Sequence, residues 1–210
     1  FDGGQKKVPR QHQYAGVKAA QRRIEERQGG VIWHTQGSGK SILMVLLAKW
    51  LLEHDPNGRV LVITDRDELD KQIEGVMRNA GVIGEGTPSP RITSRADFIQ
   101  KLGSPTPRLL CALVHKFEPD LSGDPPPVHG RFYVFVDECH RTQGGKMNRQ
   151  MKERWLKDAI FIGFTGTPLL RRDKPMTSAV FGTFVHTYKF QEAVADKVVL
   201  DLKYEARDVP

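Results

Sequence analysis

Five short runs of Val, Ile, Leu and aromatic residues recur along the chain, at Val31–Trp33, Val60–Thr64, Leu109–Val114, Phe132–Val136 and Ile160–Phe164. None alternates apolar with polar positions, which is the pattern of strands covered on both faces. Between them lie stretches of helical spacing at Gln13–Arg27, Lys40–Glu53, Glu68–Asn79, Arg95–Leu102 and Met147–Leu156. Strands alternating with helices predict an α/β fold, a mostly parallel central sheet with crossover helices on both faces. Lys40–Glu53 is apolar on nearly every side, from Ile42 through Leu47 and again at Leu51 and Leu52, so it is expected to be buried and not amphipathic.

Glu118–Gly130, with Pro119 and the triplet Pro125–Pro127, cannot continue a helix or a central strand and reads as a surface loop. Gly84–Pro90 reads as a second loop. Residues 181–210 carry weaker periodicity, with a helix expected at Gln191–Asp196 and a strand at Val198–Glu205. They resemble the opening of a further domain, so the chain divides into a domain over 1–186 and a linker or truncated second domain over 187–210.

Composition narrows the class. With 210 residues, 39% apolar and 27% charged, the chain can bury a full core. The longest apolar stretch, Ile42–Leu52, is broken at Lys49 and is too short for a membrane span. Phe1–Gln28 is polar and basic, without the apolar segment of a secretory signal, so a cytoplasmic location and no membrane partner are expected. Cys111 and Cys139 are too few for a disulfide framework or a zinc site and should be reduced thiols. The net charge of +7 is uneven: residues 141–175 hold nine basic and three acidic side chains, and residues 1–30 hold seven and three. That distribution suits a polyanionic partner and equally suits a solvated surface.

Three clusters carry chemistry. Gln36-Gly-Ser-Gly-Lys-Ser41 lies between an expected strand and a buried helix, the setting of a phosphate-binding loop. Its glycines let the backbone N–H groups of Gly37, Ser38 and Gly39 turn towards phosphates, with the helix N-terminus behind them. Lys40 would neutralise the β/γ-phosphates and Ser41 would ligate Mg²⁺. His34 stands where the general pattern has glycine. The second cluster, Asp137-Glu-Cys-His140, follows an apolar strand and puts carboxylates at the carboxyl edge of the sheet. There Asp137 can join the Mg²⁺ shell, Glu138 can take a proton from the attacking water, and His140 can relay nucleotide state. Thr165-Gly-Thr-Pro168 follows the fifth strand and is, alone, a turn. All three are expected on one rim.

Val31-Ile-Trp-His-Thr-Gln-Gly-Ser-Gly-Lys-Ser41, Thr64-Asp-Arg-Asp-Glu-Leu69 with Gln72, Val136-Asp-Glu-Cys-His-Arg141 and Ile162-Gly-Phe-Thr-Gly-Thr-Pro168 resemble the motor motifs of superfamily 2 translocases. More narrowly they resemble the restriction (R) subunit of type I restriction-modification enzymes, over about residues 10–210. In that family the Trp33-His34-Thr35-Gln36 lead-in is usual, which accounts for His34. The resemblance implies a first RecA-like motor domain, of P-loop type, that binds ATP and Mg²⁺ and drives double-stranded DNA translocation. It implies that Gln13 reads adenine and that Thr35 joins the nucleotide loop. Thr165 and Thr167 would couple hydrolysis to movement.

By the same resemblance Thr64, Arg66, His115 and Lys116 lie in loops that touch the DNA backbone, although Arg66 and Lys116 read equally as surface charges. Partners would be the modification (methyltransferase) and specificity subunits, which supply target recognition. The arginine fingers belong to a second motor domain and the nuclease carboxylates lie upstream, so these 210 residues alone should turn over ATP very slowly. Two other readings remain: a superfamily 2 helicase acting on RNA or replication forks, and a non-hydrolytic DNA-binding scaffold.

Overall fold

A computed structural model describes residues 8–64, 67–79, 81–84, 86–87, 89–113, 124–139, 149–167 and 174–201, with the side chains of 67–72, 174–176 and 178 also left outside the description. Six parallel strands form one sheet: β1 (Gly30–His34), β2 (Gly58–Thr64), β3 (Leu109–Leu113), β4 (Arg131–Val136), β5 (Ile160–Thr165) and β6 (Phe184–Tyr188), in the order β3-β2-β4-β5-β1-β6. The helices are α1 (Gln11–Glu25), α2 (Lys40–His54), α3 (Asp67–Asn79), α4 (Arg95–Gly103), α5 (Lys174–Phe181) and α6 (Phe190–Ala195).

The unbroken apolar runs follow from this layering. Side chains alternate across a strand, so Val60 and Val62 join one core with α1, α2 and α3, while Leu61 and Ile63 join another with α4, Trp155 and α5. Each face has a cover, and no position on β2 is left to solvent. The all-round apolar helix α2 is buried as expected: Leu43, Met44, Leu47 and Leu51 enter the first core, and Leu46, Trp50 and Leu52 pack at its margin.

Two expectations need correction. The helix expected at Met147–Leu156 is helical over residues 149–155 of the described chain, but Met151–Trp155 is π-helical, closed by Leu156 N–H donating to Met151 O at 2.7 Å. Val198–Asp201, the described part of the last expected strand, is not extended in the sheet; Val198 N–H folds back to Ala193 O. In its place the sixth strand is β6, which spans the expected 186/187 boundary and pairs parallel to β1, His34 lying opposite Tyr188. Among the described residues no helix is long and apolar enough to cross a membrane.

Candidate functional site

The glycine-rich loop at residues 35–39 joins β1 to α2 at the carboxyl edge of the sheet. Gly37 and Gly39 take φ of +80° and +83°, left-handed conformations that a side chain disfavours, and Gly39 is the N-cap of α2. The loop braces itself internally: Ser38 Oγ donates to Thr35 O at 2.6 Å, and Thr35 N–H donates to Tyr188 O on β6 at 2.9 Å. Lys40 and Ser41, the first two residues of α2, are partly exposed, so both remain accessible from the rim.

The three clusters meet there. Gly166, between Thr165 and Thr167, lies so close to the loop that a Cβ on it would stand 3.0 Å from Lys40 Nζ and 3.4 Å from Gln36 N. Its own N–H donates to Glu138 Oε2 at 3.5 Å. One glycine therefore touches the cation of the first cluster and the carboxylate of the second. Thr165 is fully buried, and its hydroxyl both donates to Thr167 O (3.0 Å) and accepts from Thr167 N–H (3.2 Å), which holds the turn closed.

β4 delivers the carboxylates. Asp137 is 7% exposed and its N–H donates to Ile63 O on β2, so it stands just past the strand end. Glu138 has φ of +47°, an uncommon left-handed conformation for a non-glycine residue at the turn out of β4. Cys139 then turns inward, its N–H on Phe164 O and its sulfur against Gly163. Burial, with Asp137 and Glu138 nearby, pushes the Cys139 thiol far up, so it stays protonated and inert. Both thiols are buried, and neither is in a disulfide among the described residues.

Gln13 is buried on α1 and grips the loop from below. Its Nε2 donates to Ser38 O at 3.1 Å and to Gly39 O at 3.3 Å, and its Oε1 accepts from Arg10 N–H at 2.8 Å. Both amide protons are thus committed to loop carbonyls, and contact with a base falls to the second lone pair of Oε1. Thr64 ends β2 at the same edge but is fully buried, so its hydroxyl does not reach the surface. Arg66, His115, Lys116 and His140, together with Pro168, lie outside the described residues.

Sequence reasoning did not find the histidine layer beneath the loop. His12 Nε2 is 2.9 Å from Ser38 O, and His34 Nε2 is 2.8 Å from His186 Nδ1. His34 is fully buried with no partner for Nδ1. Burial, with His186, His12 and Lys40 close by, lowers its pKa to about 3, so it is neutral. Its position in the motif was readable, but its neighbours come from residues 12 and 186.

The residues fit a triphosphate: a partly exposed cation at Lys40, glycines where the backbone must curl, and at residue 166 a glycine where any side chain would crowd Lys40.

A family model described as SWI2/SNF2 ATPase matches residues 12–210. Among curated relatives, the type I restriction enzyme HindI endonuclease subunit of Haemophilus influenzae is 33% identical over 224 residues, covering 95% of this chain and 21% of the relative. The chain spans about a fifth of the length of the curated relatives it matches. The SWI2/SNF2 ATPase core of Sulfolobus solfataricus, solved in complex with dsDNA, superposes with a TM-score of 0.61 at 16% identity, over 84% of this chain and 36% of that one. A nuclease-deletion mutant of the Type ISP restriction-modification enzyme LlaGI, solved with a DNA substrate mimic, gives 0.64 at 17% identity, over 92% and 21%. The RecA-like fold and the kinship with type I restriction subunits are thus as expected.

Proposed function

The chain belongs to the SWI2/SNF2 ATPase family, and from that premise we propose that it is the first motor domain of a type I restriction enzyme's R subunit, which couples ATP hydrolysis to translocation along double-stranded DNA. The observation that carries this reading is Gly166, pressed against Lys40 Nζ and Gln36 N while its N–H meets Glu138. A loop that grips phosphates, a carboxylate that can accept a proton and a turn that senses both are what a nucleotide-driven motor requires at one point.

In this reading the N–H groups of Gly37 and Gly39 cradle the β- and γ-phosphates, Ser38, whose N–H donates to Thr35 O at 3.3 Å, holds the curl of the loop, and Lys40 offsets the phosphate charge. Ser41 and Asp137 hold Mg²⁺, which supplies charge neutralisation at the transferred phosphoryl group. Glu138 takes a proton from the water that attacks the γ-phosphorus as the bond to the β–γ bridging oxygen breaks and ADP leaves. Gln13 meets adenine through Oε1. Thr165 and Thr167, locked to one another next to Gly166, pass the change at the phosphates to the rest of the motor. His140 shares that relay. The segment after β6 leads towards a second motor domain, which supplies the arginine fingers.

DNA contact falls to the segments after β2 and β3, through Arg66, His115 and Lys116, while Thr64, buried at the end of β2, does not itself reach the DNA. Such contacts address phosphates, so binding is insensitive to sequence and weakens steeply with salt. Target recognition belongs to the specificity subunit, methylation to the modification subunit, and the site of action is the cytoplasm.

The deciding experiment compares the full-length protein with its Lys40→Ala variant for ATP binding and for turnover with and without linear double-stranded DNA. The expected result is DNA-stimulated turnover that falls by about 10² to 10³ or more in the variant. A helicase acting on RNA would be stimulated by RNA instead. Equal ATP binding by the two proteins would leave only a non-hydrolytic scaffold.

A further inference from the structure

The Ser38 carbonyl receives two side-chain donors from α1: His12 Nε2 at 2.9 Å and Gln13 Nε2 at 3.1 Å. A carbonyl has no proton to give, so His12 carries its hydrogen on Nε2 and donates it. In a trans peptide the C=O of one residue and the N–H of the next point in opposite directions. Drawing the Ser38 carbonyl down onto α1 therefore turns the Gly39 N–H away from α1, towards the side on which the phosphates are read above. Gln13, donating to Gly39 O, does the same for the N–H of Lys40.

His12 is itself held in place. Its ring is 7% exposed and stacks on Tyr188 with centroids 3.9 Å apart and planes within 4°. The Tyr188 hydroxyl donates to Asp196 Oδ2 at 2.8 Å, just beyond α6, and Tyr188 O accepts the Thr35 N–H of the loop. The same short segment thus fixes both the start of the loop and the ring that orients its end. Further along, Val199 Cγ1 stands 3.4 Å from the Cβ that a side chain at Gly37 would carry.

We propose that His12 is a positioning residue for phosphate binding: it aims the Gly39 N–H at the phosphates, and Tyr188 with Asp196 holds its ring in the plane that does so. The inference rests on the nucleotide reading of this loop and deepens it. It makes triphosphate affinity depend on the segment 188–196, on the side of the domain that leads towards the rest of the motor.

The test uses the full-length protein, MgATP as ligand and three variants. His12→Phe keeps a ring to stack on Tyr188 and removes the donor. His12→Gln puts an amide N–H about where Nε2 stands. Lys40→Ala is the control for the site. The expected result is that His12→Phe folds with an unchanged circular dichroism spectrum and binds ATP about tenfold more weakly, the effect of one ordinary hydrogen bond. His12→Gln should return to within about threefold of the native affinity. A merely structural role predicts no rescue by glutamine. The inference is overturned if folded His12→Phe binds as the native protein does, or if folded His12→Gln is as weak as the phenylalanine variant. Should His12→Phe not fold, His12→Gln decides alone: native-like affinity supports the inference and a tenfold loss overturns it. A native protein that binds ATP no better than Lys40→Ala brings down the nucleotide reading, and the inference with it.

Discussion

The two ends of the sheet both hold cations and use them in opposite ways. At the amino edge Arg59 is 1% exposed and donates to the carbonyls of Leu102, His129, Lys101 and Pro107 at 2.7–3.1 Å, with its guanidinium 4.6 Å from the Phe132 ring centroid. Arg108 is spent likewise on Gly58, Leu52 and Asp55, and the Asp55 carboxylate takes Arg131 and Tyr133. A groove of about 940 Å³ opens beside this knot, but of the cations that line it Arg131 is held by Asp55 and Lys152 by Val180 O. At the carboxyl edge the side chains of α1 take up the Ser38 and Gly39 carbonyls, and Lys40 stays partly exposed at the rim. Charge does not tell a scaffold from a site; what the donors are already bonded to does.

The largest effect that would test this contrast is on stability. Arg59→Leu removes a side-chain donor from the carbonyls of Lys101, Pro107 and His129, Leu102 O keeping the His129 N–H, and should cost on the order of 3–5 kcal/mol by urea unfolding, since each unmet polar group is worth about 1–3 kcal/mol. ATP affinity of the molecules that remain folded should not change. A folded variant that had lost ATP binding would show that the amino edge is not merely structural.

The next effect is in the pH dependence. His34 is neutral in the fold with a pKa of about 3 and, once unfolded, takes a proton near its ordinary value. The unfolded state therefore binds more protons through the whole window between those values, and stability is lost as pH falls into it. Burial lowers the pKa of His186 as well, which acts in the same direction. His34 alone should cost about 2 kcal/mol between pH 7 and pH 5. Urea unfolding of the native protein and of His34→Gln measures this, and equal slopes with pH would refute it. Arg59, by contrast, stays charged across this range, its pKa lowered by burial only to about 10.

The smallest effect is local. Gly166→Ala brings a methyl to 3.0 Å from Lys40 Nζ, a flexible chain end that can shift aside. Stability should change by less than about 1 kcal/mol, while ATP turnover falls roughly tenfold as Lys40 is displaced. Native turnover in this variant would mean that the close approach carries no function.

Five of the six strands and the helices α1 to α4 and α6 were legible because their pattern is local: β-branched and aromatic runs flanked by polar helical spacing, read within a dozen residues. β6 was not. Its sequence, Phe184-Val-His-Thr-Tyr188, mixes polar with apolar residues because it is an edge strand, and four of its five side chains are at least partly exposed. The π-helical turn was missed for a related reason, since its apolar positions Met151 and Trp155 keep a helical spacing of four while the closing hydrogen bond spans five.

Residue types and their spacing along the chain were enough to establish a parallel sheet, a loop shaped for phosphate and three clusters at strand ends. Which of those groups touch was settled by packing alone. Gly166 meets Lys40 because β5 lies beside β1, although 126 positions separate the two residues. His12 reaches Ser38, 26 residues away, because α1 packs across the start of α2 and its ring is pinned by a tyrosine from β6. Periodicity is a property of neighbours in sequence, whereas such contacts depend on how whole elements lie against one another. That arrangement is set by the sum of many buried surfaces and by no short pattern.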